Sequence, residues 1–279
     1  MAAQPLSDRH AVPWRGGVVA VALLTLALGT PAPVSAREAA DLGTDRDAFT
    51  PAAHTVRPGV ALWEGSYVFI DNPAGAPTNN YPELLLRIGA AEWFEWRLGV
   101  NYGVGSQGNV VTSVEVGEGT LDGSTLYESS LLYGFKAGLS RQDGWLPDSC
   151  FIMEASTPTS GDVFGTVPVA TGVLGWELPG ECRIDTAIRY AYSEGLSGWC
   201  SRWTPSVVLR VPLTERLEVH AEYFDSSTQG LVVDTNRGFF SPGMHYLLTR
   251  NFEIGLRLGW GVTAEAAPFF SDAGFGWRW

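Results

Sequence analysis

Beyond Leu28 the chain has no apolar run approaching eighteen residues, which excludes a membrane-spanning helix. Positive charge is scarce: 18 Lys and Arg stand against 30 Asp and Glu, a net charge of −12. So acidic a chain has little with which to neutralise phosphates, and nucleic acid is dismissed as a partner. Cysteine is limited to Cys150, Cys182 and Cys200. An odd count excludes complete pairing within one chain, and spacings of 32 and 18 carry no zinc pattern. The three read as free thiols, with no metal or cofactor expected. Histidine is equally sparse, with His54, His220 and His245 beyond residue 36. A serine hydrolase needs a base beside its nucleophile. His220 is flanked instead by Glu218 and Glu222, so no catalytic residues are assigned and no enzyme is expected.

What is present begins with the N-terminus. Arg9 and Arg15 precede the apolar run Val18–Leu28, and Val34-Ser35-Ala36 supplies small residues at a cleavage site. That is the order of a secretory signal peptide. Eleven apolar residues make about 16 Å of helix, roughly half a bilayer core. Residues 1–36 are therefore expected to be removed between Ala36 and Arg37, leaving 16 basic and 29 acidic residues and a net charge of −13. Residues 37–57 have no clear periodicity and read as a periplasmic segment ahead of a barrel over 58–279.

Glycine and tryptophan are abundant, at 33 and 11 residues. Phe94–Tyr102, Leu217–Tyr223 and Phe252–Trp260 alternate apolar with polar residues, the period of a strand rather than of a helix. Twelve such segments can be drawn: 58–70, 80–90, 93–103, 126–139, 149–157, 167–178, 181–193, 201–212, 215–226, 238–249, 252–262 and 271–279. Short turns near 91–92, 140–148, 179–180, 213–214 and 250–251 alternate with longer loops at 71–79, 104–125, 158–166, 194–200, 227–237 and 263–270. This predicts an all-β, antiparallel transmembrane barrel in a bacterial outer membrane, with lipid around it and both termini periplasmic. A soluble β-sandwich shares the alternation, but the aromatic bulk of the apolar face favours the barrel. The chain ends on Phe275, Trp277 and Trp279, similar to the terminal signal read by the barrel assembly machinery. Gly103-Val104-Gly105-Ser106-Gln107-Gly108 fits a dinucleotide pattern, but the β-branched stretch after it forms no helix, so it reads as an external loop.

The polar face should point into the lumen. It carries Glu64, Glu83, Glu95, Glu128, Glu154, Asp185, Glu218, Glu222 and Glu253 against Arg87, Arg97, Lys136, Arg183, Arg189, Arg202, Arg210, Arg257 and Arg278, with His220 among them. Nine acids facing nine bases make either an ion-pair network filling a narrow barrel or a polar constriction that selects solutes.

Thr44-Asp45-Arg46, Phe49-Thr50, Pro58-Gly59, Pro82–Arg87, Gly144–Asp148, Gly175–Leu178, Leu213–Leu217, Ser241-Pro242-Gly243 and the terminal Gly-Phe-Gly-Trp-Arg-Trp together resemble a bacterial outer-membrane family. That family is labelled transporter, or MetA-pathway of phenol degradation. Asp47 stands where it often has Pro. The resemblance implies a barrel passing small, apolar or aromatic, solutes. A sealed structural or surface-interaction barrel is the alternative.

Overall fold

The computed structural model describes residues 42–46, 48–106, 108–114, 125–161, 165–195, 198–231 and 233–279. The signal-peptide reading and the Ala36–Arg37 junction lie outside them. Twelve strands follow in order: β1 (Ala61–Asp71), β2 (Thr78–Ala91), β3 (Phe94–Gly105), β4 (Leu126–Ser140), β5 (Asp148–Ser160), β6 (Val167–Glu177), β7 (Arg183–Gly195), β8 (Gly198–Pro212), β9 (Leu217–Gln229), β10 (Thr235–Thr249), β11 (Phe252–Gly261) and β12 (Phe269–Arg278). Each pairs antiparallel with its chain neighbour, and β1 pairs with β12 from Leu62↔Arg278 to Asp71↔Phe269, closing the barrel. Every strand end falls within three residues of its sequence-derived position. Closure leaves no unpaired sheet edge, which is how an all-antiparallel sheet satisfies its backbone where water is absent.

Alternation sorts the side chains as the period requires. Along β3, Glu95, Arg97 and Asn101 are buried in the lumen while Trp96, Leu98 and Val100 are exposed on the outside. Outward aromatics meet across strands: Trp63 lies opposite Trp277 and Tyr190 opposite Trp203. Trp279 packs edge-on against Trp63 and also touches Trp277.

Two connections differ in length or shape from the sequence reading. The longer loop expected at 194–200 is almost all ladder, because β7 and β8 stay paired out to Gly195↔Gly198. The turn at 141–147 is long but folds back on itself, with Asp143 and Leu146 exchanging backbone hydrogen bonds around Gly144, whose φ of 59° suits glycine. Both ends of the barrel chain lie on the same rim, with the turns 92–93, 213–216 and 250–251.

Candidate functional site: a plugged lumen

Of the segment 37–57, read from the sequence as lying ahead of the barrel, the described residues 42–46 and 48–56 are not outside it. They enter the lumen from the short-turn rim and form a plug held mainly by wall carboxylates. Glu64 Oε2 accepts the amides of Asp45 and Arg46 at 2.8 and 2.9 Å. Glu222 accepts the Phe49 amide at 2.9 Å, and the Thr50 amide and hydroxyl at 2.6 and 2.7 Å. Glu95 accepts the Val56 amide, Asp185 the Ala53 amide, and Glu253 the Thr44 hydroxyl. An aperiodic segment leaves its backbone groups without ladder partners, and buried groups must find others. Here the wall supplies them.

The plug also brings its own charges. Asp45 Oδ2 lies 2.6 Å from Arg97 Nη1 and 2.8 Å from Lys136 Nζ, and Arg87 Nη1 is 3.5 Å from Oδ1. Burial alone would raise the Asp45 carboxyl. Arg87, Lys136 and Arg97 together outweigh it and hold the group well below the usual carboxylate range. Arg46 pairs with Glu83 and donates to the Leu84 carbonyl. Around this pair the wall ions interlock: Arg87 Nε–Glu95 at 2.7 Å, Arg87 Nη1–Glu64 at 3.1 Å and Arg97 Nε–Glu154 at 2.6 Å. Arg97 sits on β3 and Glu154 on β5, and Gly134 lies between them in register. A Cβ at Gly134 would stand 2.9 Å from the Glu154 side chain, so glycine clears the path for the bridge.

The described part of the long loop after β3 is not external either. This part, 108–114, turns into the lumen from the opposite rim. Arg257 Nη2 donates to the Val111 carbonyl at 2.6 Å, Arg189 Nη2 to that of Ser113 at 2.5 Å, and Thr112 donates to Glu83 at 3.1 Å. Glu83 thus holds plug and loop together. Beside them lies an apolar patch of Phe49, Val68, Ile70, Val110, Val111, Phe224, Phe239 and Phe270. The outcome is a closed mid-lumen. Arg87, Lys136, Glu64, Glu83 and Glu95 are 0 % exposed and Arg97 and Arg257 only 1 %. Cavities of about 30 Å³ beside Arg46 and Glu253 and about 10 Å³ beside Phe49 and Arg189 are on the scale of one water. A vestibule of about 460 Å³ opens at the short-turn rim, lined by His54, Arg57, Arg87 and Arg278.

Of the wall residues expected in the lumen, Glu64, Glu83, Arg87, Glu95, Arg97, Lys136 and Glu154 converge on the plug around Asp45 and Arg46. Glu222 and Arg257 pair at 3.1 Å, and Arg210 joins Asp185 to the Thr50 carbonyl. Arg183 meets Asp185 and Asp148 near the short-turn rim. Glu218 and Arg278 are half-exposed there. Glu128 and Arg202 are buried but toward the far rim, with Arg202 donating to Thr228. His220 is buried, its ring 5.2 Å from that of His245. Sequence reasoning missed Asp45, Arg46, Phe49 and Thr50, which carry no period. It also missed His245, Asp272, Phe224, Phe239 and Phe270, which share the inward parity and could have been found from it. The three cysteines form no disulfide.

No family model matches the chain, and no curated protein matches it in sequence. Solved structures do. The COG4313 outer membrane channel from Pseudomonas putida F1 superposes with a TM-score of 0.55 at 9 % identity, covering 81 % of this chain and 98 % of that one. The KdgM and NanC porins each reach 0.48, at 9 % and 12 % identity, over 77 % and 78 % of this chain and 98 % of theirs. At such identity the likeness is one of fold: a closed twelve-stranded barrel of the outer-membrane kind.

Proposed function

We propose that this is an exported outer-membrane channel for small solutes, apolar or aromatic ones among them, whose bore is closed at rest by its own N-terminal segment. The placement in a membrane is supported by the inversion of the barrel. Its exterior is Trp, Tyr, Leu and Val, and its interior is charged. Water would favour the opposite arrangement, whereas lipid favours this one. Both termini then lie in the periplasm. The leader is cleaved after Ala36, and Phe275, Trp277 and Trp279 present the closing strand to the assembly machinery. The protein is not an enzyme in this reading.

The observation that carries the channel reading is what fills the lumen. Inward wall side chains alone do not close it. The rest of the filling is a terminal segment and one loop, fixed by hydrogen bonds and ion pairs that water can replace. The Pseudomonas protein of this fold is an outer membrane channel, and the MetA-type resemblance points the same way. The sealed barrel has an observation of its own: a lumen of buried ion pairs. Planar-bilayer recordings separate the two. Full mature protein should conduct weakly, and protein lacking 37–56 should give large, steady steps. A plug-deleted barrel that folds, inserts and passes neither ions nor small solutes would end the channel reading.

A further inference from the structure

Phe49 is the one Phe, Tyr or Trp between residues 42 and 57, and it occupies a slot unlike the rest of the plug's surroundings. Its ring lies flat on Phe224, with centroids 4.5 Å apart and planes 7° apart. The Arg189 guanidinium stands over the same ring at 5.7 Å. Phe224 is stacked in turn on Phe239 at 5.0 Å, and Phe270 closes the side under Arg257. Next to the ring, Glu222 takes three donors from the plug: the amides of Phe49 and Thr50 and the Thr50 hydroxyl. Glu222 thus faces Arg257 at 3.1 Å and the plug donors together, beside a flat aromatic wall. Burying such a group is costly unless it is hydrogen-bonded.

We infer that this slot is a ligand site of the barrel, with Phe49-Thr50 as its resident occupant. Its ligand is a planar aromatic ring carrying a hydroxyl or amine on a short side chain. The ring replaces Phe49 between Phe224 and Arg189, and the donor replaces the plug amides on Glu222. Asp45 and Arg46 are anchored elsewhere, on Arg97, Lys136 and Glu83. Exchange at Phe49 can therefore be local and loosen the plug without first breaking the ionic anchor. The inference deepens the channel reading and rests on it for its purpose. Binding is measured on detergent-solubilised full mature protein with no transport step, so the two can fail separately.

The probe is 2-phenylethanol. The controls are 2-cyclohexylethanol, which keeps the donor without a ring face, and ethylbenzene, which keeps the ring without a donor. Removing the resident ring should free the aromatic half of the site while the plug amides stay on Glu222, so Phe49→Ala should bind the probe about tenfold tighter than the parent, because an intramolecular competitor for the ring position lowers apparent affinity by the fraction of sites it holds. Both controls should bind more weakly than the probe, and adding Phe224→Leu should weaken it about fivefold, the worth of a stacked pair. A second measurement needs no cavity variant. Cys150 is buried with Sγ 3.9 Å from the Ala52 carbonyl of the plug, so in a Cys182→Ser, Cys200→Ser background its thiol reports plug displacement. The probe should accelerate its alkylation and 2-cyclohexylethanol should not. Folded Phe49→Ala protein that binds all three compounds alike, or none, overturns the inference. If Phe49→Ala does not fold, an alkylation rate indifferent to the probe overturns it.

Discussion

The two sides of the lumen are filled by opposite chemistry. Along β1–β5 the plug meets Glu64, Glu83, Arg87, Glu95, Arg97, Lys136 and Glu154, a buried lattice of charge joined through Asp45 and Arg46. Along β9–β12 it meets Phe224, Phe239 and Phe270, with Glu222 and Arg257 at the border. The first side is intolerant: each buried cation depends on a named carboxylate, and losing one partner strands the other. The second is permissive, because apolar stacking has no obligatory partner and tolerates swaps of similar volume. The proposed channel needs both properties, a plug anchored on one side and exchangeable on the other.

Substitutions can sharpen or break this contrast. Asp45→Ala should have the largest effect. It strips Arg97, Lys136 and Arg87 of a shared counter-charge, a loss of about 3–5 kcal/mol for a buried pair. Alkylation of Cys150 should rise by orders of magnitude and bilayer conductance should increase. If Asp45→Ala alkylates no faster than the parent, the ionic side is not the anchor. Arg257→Ala should come next, at about 2 kcal/mol, the scale of a hydrogen bond to a charged group. Arg257 joins Glu222, Asp272 and the Val111 carbonyl, but Glu222 keeps its plug donors without it. A lower melting temperature together with higher conductance is the expected pair of results. A lower melting temperature in a barrel that still passes nothing would favour the sealed reading. Phe49→Leu should be smallest, at about 1 kcal/mol, since volume is nearly kept and only the stacked face is lost. Its alkylation rate should rise a few-fold. An effect as large as that of Asp45→Ala would erase the distinction between the two sides.

How much of this could be read without coordinates depends on whether a residue sits in a repeating element. Glu95, Arg97, Glu222 and Arg257 lie in strands whose period places every second side chain on one face, so their inward direction was available from spacing. Phe224 and Phe270 obey the same period. They were overlooked because an apolar residue inward breaks the simple rule that the polar face is the lumen. Val111 and Thr112 follow the glycines 103, 105 and 108, which spacing alone reads as an outside loop. Arg189 and Arg257, which reach its carbonyls across the bore, and Glu83, which accepts from Thr112, draw that loop in.

The sequence by itself determined the barrel: twelve alternating segments, an even count that brings both ends to one rim, and an apolar face too aromatic for water. These follow from a local rule, that successive side chains in a strand point to opposite faces. Tertiary structure alone decided that the lumen is closed. Glu64 and Glu222 are 158 residues apart in number, yet both accept backbone amides of the same short segment. No local period encodes where a non-repeating stretch will find partners for its buried amides. That choice is made only once the closed ring of strands has gathered the carboxylates around it.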